Sequence, residues 1–137
     1  SEAAQLTKQR RSVAKKLVKH TTAILASLGM EGCVFDIALE PVGNGQPHPH
    51  GGEEIEFLIS TNPGAPPRAL GKIASGGELS RISLAIGVVT ANSTAIPSMV
   101  FDEVDVGIGG AVAEVVGKLL RNLAQHAQVL CVTHLAQ

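Results

Sequence analysis

Between Glu78 and Thr133 the hydrophobic period changes three times, and this alternation constrains the fold more than any other feature of the chain. Glu78 to Asn92 reads as a helix, with Leu79, Ile82, Ile86 and Val89 on one stripe. Ser98 to Phe101 is short, continuous and apolar, a strand of the buried type. Gly109 to Ala127 is helical again, with Val112, Val115 or Val116, Leu119 and Leu123 inward. Gln128 to Thr133 is a second apolar strand. Helix–strand–helix–strand with buried strands predicts parallel pairing, with helices covering the sheet.

The first 28 residues follow a different rule. Leu6, Val13, Leu17, Ile24 and Leu28 recur at helical spacing, and Gly29 follows as a natural stop, so residues ~3–28 should form one amphipathic helix. Lys8, Arg10, Arg11, Lys15, Lys16 and Lys19 face only Glu2, a net of +5 in a chain whose total is −1. A solvated Lys/Arg face is the expected role of these charges; the end of a coiled-coil arm or a strip facing DNA are the alternatives. After Gly29 the period becomes two. Cys33 to Glu40 and Glu54 to Ser60 alternate as strands with one buried face each. They flank a Gly-, Pro- and Asn-rich stretch that reads as a mobile hairpin loop. Its His48 and His50, near Glu53 and Glu54, have metal-donor chemistry, but such a loop offers no fixed ligand geometry and metal binding is not expected. His20 and His126 read as surface residues. Residues 61–74 read as an irregular connection.

Composition removes several classes. Aromatic residues are 2% of the chain, three Phe with no Tyr or Trp, which argues against base stacking on aromatic platforms. Two cysteines, Cys33 and Cys131, make no disulfide framework and are expected as buried thiols. No stretch approaches the ~18 apolar residues of a membrane helix, and the N-terminus has no signal-peptide core. A cytoplasmic protein with no membrane partner is the expectation.

Three short runs carry chemistry. Ser75-Gly76-Gly77-Glu78 opens a helix, where unobstructed N–H groups and the helix dipole favour an anion such as phosphate; the same residues also make an ordinary N-cap with turn glycines. The strand ending Phe101-Asp102-Glu103-Val104-Asp105 places adjacent acids at a carboxyl end, where ligands of open α/β sheets bind. There Asp102 can serve Mg²⁺ and Glu103, on the other side of an extended chain, can take a proton from water. The last strand ends in Thr133-His134, where a histidine could donate to a transferring phosphate or simply cap the strand.

In this order the runs resemble the signature motif, Walker B, D-loop and switch histidine of ABC-type ATPase heads. The wording ASGGELSRISLAI, FDEVDVGIGG and VLCVTHLAQ resembles the SMC-like RecN family of bacterial DNA repair proteins over residues ~70–137. The resemblance implies an α/β fold: the C-terminal lobe of an ABC/SMC-like ATPase head, with a β-hairpin and an N-terminal amphipathic helix. It also implies residue roles. Ser75, Gly76 and Gly77, with Glu78, would contact the γ-phosphate of ATP held by a second head. Asp102 would position Mg²⁺ through water, Glu103 would be the catalytic base, Asp105 would cross the dimer interface, and His134 would sense the γ-phosphate. Val104 stands where transporter ATPases usually carry Pro.

The GxxxxGK[ST] phosphate loop (Walker A) is absent. Before Gly71-Lys72 the required glycine is Pro66 and the next residue is Ile73; Gly117-Lys118 has Val112 at the earlier position. Gly107-Ile108-Gly109-Gly110 reads as the D-loop turn. The expected organisation is therefore residues 1–28 as the end of a coiled-coil arm and 29–137 as the C-terminal part of the head, an excised fragment. Its partners would be its own N-terminal half, a second head and DNA. A transporter ATPase piece and a non-catalytic DNA-binding scaffold are the competing readings.

Overall fold

A computed structural model describes residues 1–43, 48–73 and 75–133. The chain opens with α1, Glu2–Ser27, whose first turn is capped by Ser1: its Oγ accepts from the Ala4 N–H at 3.4 Å. The helix stops where the glycine signal lies. Gly29 has φ +74°, its N–H donates to Ala26 O at 3.2 Å, and the Met30 N–H reaches back to Leu25 O at 3.0 Å. That pair of bonds is a Schellman stop, which a left-handed glycine accommodates without a Cβ penalty.

The buried side of α1 runs through Leu6, Arg10, Ala14, Leu17, Thr21, Leu25 and Leu28. Val13, expected on it, is 61% exposed. It lies one residue, about 100°, away from Ala14, which takes the inward place. Val13 lines instead an apolar groove of about 410 Å³ between α1 and the hairpin.

The hairpin forms as the alternation requires. β1, Val34–Pro41, pairs antiparallel with β2, Glu53–Ser60, in the register Val34↔Ser60 to Pro41↔Glu53. Phe35, Ile37 and Leu39 share a face with Ile59, Phe57 and Ile55, and the Phe35 and Phe57 rings meet edge-on at 5.9 Å. A two-residue strand, β3 (Arg68–Ala69), adds to β2 and leads into one 3-10 turn, Leu70–Lys72. This corrects the expectation of a wholly irregular 61–74: two residues are too few to show any period.

α2, Gly76–Thr90, is the centre of the molecule. Its expected single stripe is a correction too. Ile82 and Ala85 enter one core with Leu25, Phe35 and Ile59, while Leu84 enters a second with Leu28, Phe101, Val104, Val116 and Leu123. A helix buried on two sides cannot show a clean amphipathic stripe. Gly87, mid-helix, gives Met99 room: a Cβ there would lie 3.1 Å from the Met99 methyl.

β4, Ser98–Asp102, and β5, Gln128–Val132, are parallel neighbours, with Asp102 opposite Val132. α3, Gly110–Leu123, joins them and ends four residues earlier than expected, Ala124–Ala127 running on as turns. The parallel pairing agrees with the periodicity, and α2 and α3 cover one face of the pair. Among the described residues no helix covers the other face. Phe101, on the covered face, is 3% exposed, whereas Val100, Leu130 and Val132, on the alternate face, are 64%, 52% and 45% exposed. Cys131, expected to be buried, is exposed on the same open strand, while Cys33 is buried.

Candidate functional site

The N-terminus of α2 and the chain leaving β4 meet at one end of the second core. Ser75 is the N-cap, and its Oγ accepts from the Glu78 N–H at 3.3 Å. The capping reading is therefore realised, and the hydroxyl proton has no acceptor among the described residues. Gly76 and Gly77 form the first turn, Gly76 exposed and Gly77 buried. First-turn N–H groups have no partner within a helix, so this end is suited to an anion.

Glu103 does not continue the strand. Its φ is +59°, the only left-handed non-glycine among the described residues, and that conformation costs about 1–2 kcal/mol for an L-residue. The two acids are therefore separated by a turn, not by the alternation of an extended chain. The turn lays the Glu103 carboxylate over Gly76, where any Cβ would collide with it. A Cβ on Gly77 would lie 3.2 Å from Glu103 O and 3.3 Å from Val106 O. Gly77 thus lets the backbone of the turn come close to α2, and Gly76 leaves room for the Glu103 carboxylate, which spacing alone did not reveal.

Two neighbours on α2 hold the turn. The Ser80 hydroxyl donates to Asp102 O. Arg81, 7% exposed, donates from Nη1 to Val106 O at 2.9 Å and to Val104 O at 3.3 Å. Burial lowers the Arg81 pKa, opposed chiefly by Glu78 and then by Cys33; an arginine remains charged under such a shift. Sequence reasoning missed both residues. Their signal, a Ser-Arg pair one turn into the helix, is indistinguishable from surface polarity until the helix is placed.

Asp105 turns inward. It is 6% exposed, its Oδ2 accepts from the Thr133 hydroxyl, and its Oδ1 has no hydrogen-bond partner among the described residues. Asp102, by contrast, has an exposed side chain at the strand tip. Thr133 follows β5 directly, so the ends of both parallel strands converge at this loop. His134, the expected companion of the acids, lies outside the described residues. Gly107, φ +72°, ends a turn that begins at Val104, and Gly109 is the N-cap of α3.

No three His, Cys, Asp or Glu side chains among the described residues gather into a metal site. The donors at the tip still fit Mg²⁺ in its usual manner, in which one or two carboxylates act with waters and substrate phosphates. In the hairpin, the His48 and His50 rings stand 5.7 Å apart, but Glu53 is turned to α1. Its carboxylate accepts from Thr7 and pairs with Arg10 at 3.0 Å, and Arg10 also donates to His50 O at 2.6 Å. These contacts hold the Glu53 carboxyl below the usual range, Thr7 contributing most.

No family model matches the chain. Curated relatives do. It is 56% identical over 135 residues to the DNA repair protein RecN of Xylella fastidiosa (strain Temecula1), covering 98% of this chain and 24% of that protein. Identity to RecN of Vibrio cholerae is 50%, over 97% of the chain and 24% of the relative, and to RecN of Bacillus subtilis 40%, over 99% and 26%. The chain thus spans about a quarter of the length of the curated relatives it matches. Among solved structures, the SMC head domain with an extended coiled coil from Pyrococcus furiosus, bound to the C-terminal domain of ScpA, matches with a TM-score of 0.57 at 23% identity, over 91% of this chain and 29% of that one. An SMC ATPase structure, from work on ATP-driven dimerization and DNA-stimulated activation, matches with a TM-score of 0.52 at 20% identity, over 93% and 73%. The fold is that of an SMC head, its strands and helices forming the α/β C-terminal lobe, and by its relatives the chain belongs to the RecN family.

Proposed function

We propose that this chain supplies the catalytic acids and the signature turn to an ATPase head that works in DNA repair. One observation carries this reading: the N-terminus of α2, with Ser75, Gly76 and Gly77, lies against the Asp102–Glu103 tip of β4. A helix end suited to an anion and a pair of acids are thereby joined in one chain, the helix end serving the nucleotide of a second head and the acids that of their own. The substrate is ATP, as the relatives' fold suggests, with its α- and β-phosphates cradled by a loop this chain does not contain.

In this reading Asp102 would hold Mg²⁺, which would supply positive charge against the phosphates. Glu103 accepts the proton of the attacking water. Ser75 donates its hydroxyl proton, and the Gly76 and Gly77 backbone offers N–H groups, to the γ-phosphate of a nucleotide on a second head. Glu78 stabilises that helix end by lying in its first turn. Asp105 reaches the second head only by leaving Thr133, and His134 senses the phosphate.

The open face of β4 and β5 supports a division of labour with the rest of the protein. A monomeric domain rarely leaves a contiguous apolar sheet face uncovered. The proposed cover is the N-terminal half of the same head, carrying Walker A. DNA is the proposed partner of the full-length protein, in the cytoplasm at the nucleoid. Among the described residues no helix is long and apolar enough to cross a membrane.

Two measurements test the reading. The 137-residue chain alone should show no ATP turnover; measurable hydrolysis by it overturns the division of labour. In the full-length protein, Glu103→Gln should bind ATP, keep two heads associated in sedimentation, and fail to turn over; normal turnover removes Glu103 from the role of base.

A further inference from the structure

We propose that Arg81 is a positioning residue for ATP hydrolysis, holding the turn that presents Glu103. The proposal rests on Glu103 acting as the base. Arg81 is 7% exposed, yet among the described residues it forms no ion pair. A buried guanidinium is costly, and an apolar side chain of similar volume would fill the same space at less cost. The charge is instead directed at backbone. Arg81 Nη1 donates to Val106 O at 2.9 Å and Val104 O at 3.3 Å, carbonyls that flank Asp105.

Those contacts matter because of where the chain turns. The left-handed residue, Glu103, is tied on both sides from one turn of α2. Ser80 holds Asp102 O before it, and Arg81 holds Val104 O and Val106 O after it. Gly77, one turn nearer the helix start, makes the clamp possible: a Cβ there would lie 3.1 Å from Arg81 Nη1 and 3.2 Å from Glu103 O. The helix whose first turn faces the nucleotide and the loop that carries the base are thus one mechanical unit. A shift of α2 moves Glu103 with it.

The test uses the full-length protein, with Glu103→Gln as reference. Arg81→Ala should lower kcat by about 100-fold, the scale of a misplacement near 1 Å, with KM for ATP and nucleotide bound per head unchanged. Arg81→Lys, able to reach one carbonyl, should fall between. Added guanidinium, at concentrations too low to unfold the protein, should restore turnover to Arg81→Ala and none to Glu103→Gln. A merely structural arginine would instead lower the melting temperature and the nucleotide bound per head together with kcat. Wild-type kcat in Arg81→Ala overturns the proposal, as does the absence of rescue. If Arg81→Ala does not fold, wild-type kcat in Arg81→Lys overturns it. Wild-type turnover in Glu103→Gln overturns the underlying assignment of the base, and the role of Arg81 falls with it.

Discussion

The two regions on either side of α2 differ in how completely they are covered. The hairpin region is the more closed: α1 and α2 bury Leu25, Phe35, Ile59 and Ile82 to at most 3% exposure, and what stays open is the groove beside Val13 and Ile55. The β4–β5 region buries Phe101, Val116 and Leu123 against α2 and α3, then leaves Val100, Leu130 and Val132 in solvent. Complete burial of each such side chain would contribute about 1.5–3 kcal/mol. Asp102 and Glu103, the proposed catalytic acids, leave from this less covered region. The site proposed to need a second piece of protein thus adjoins the face that the described residues leave open.

The largest expected effect sharpens the contrast at the acids. In the full-length protein Glu103→Gln should reduce ATP turnover by about 100-fold or more, the usual worth of a general base, with little change in melting temperature. A large loss of stability with modest loss of turnover would place Glu103 on the structural side instead. Next comes the core. Leu25→Ala, in the closed region, should destabilise the 137-residue chain by about 2–5 kcal/mol in denaturant unfolding. Leu130→Ala, on the open face, should stay within about 0.5 kcal/mol there. Equal costs would break the comparison.

The same face gives a smaller but more specific effect. Val100→Lys should leave the stability of the isolated chain within about 0.5 kcal/mol and yet weaken its association with the remainder of the head, measured by co-purification of the two pieces. Undiminished association would mean that the face is covered by nothing in the protein. The smallest effect lies in the hairpin region. Glu53 has its carboxyl pKa lowered by Thr7 and then Arg10, so its contribution to stability is present above the unfolded value of about 4.3 and is lost as pH falls through the folded value. The gap in melting temperature between the native chain and Glu53→Gln should therefore close as pH falls from 7 towards 3. A gap that widens instead would remove the Thr7–Arg10 contact as its cause.

Much of the architecture was legible because it is local. Gly29 ended α1, alternation built β1 and β2, and a glycine-rich start followed by apolar residues announced α2. The candidate site was legible in part for the same reason: acids after a short apolar strand, and glycines before a helix, are patterns of consecutive residues. Other features had no local signature. β3 is two residues long. Val13 kept the helical spacing but lost its place to Ala14, because the line of contact with the hairpin passes through the neighbouring row. The buried-type strands β4 and β5 read as covered because apolar continuity records what a strand eventually packs against, not whether the chain itself provides it.

The residues alone determined the order of the longer helices and strands, the stop of α1 at Gly29, the parallel partnership of β4 and β5, and the chemical types gathered at the strand tips. Periodicity and capping encode these within a few neighbours. Only the tertiary structure decided that Glu103 turns left-handed over Gly76, that Asp105 folds back to Thr133, and that Arg81 spends its charge on the carbonyls of Val104 and Val106. Those contacts join residues more than twenty positions apart, so they depend on the path of the chain and the packing of α2 between two cores, for which no short pattern of residues is a code.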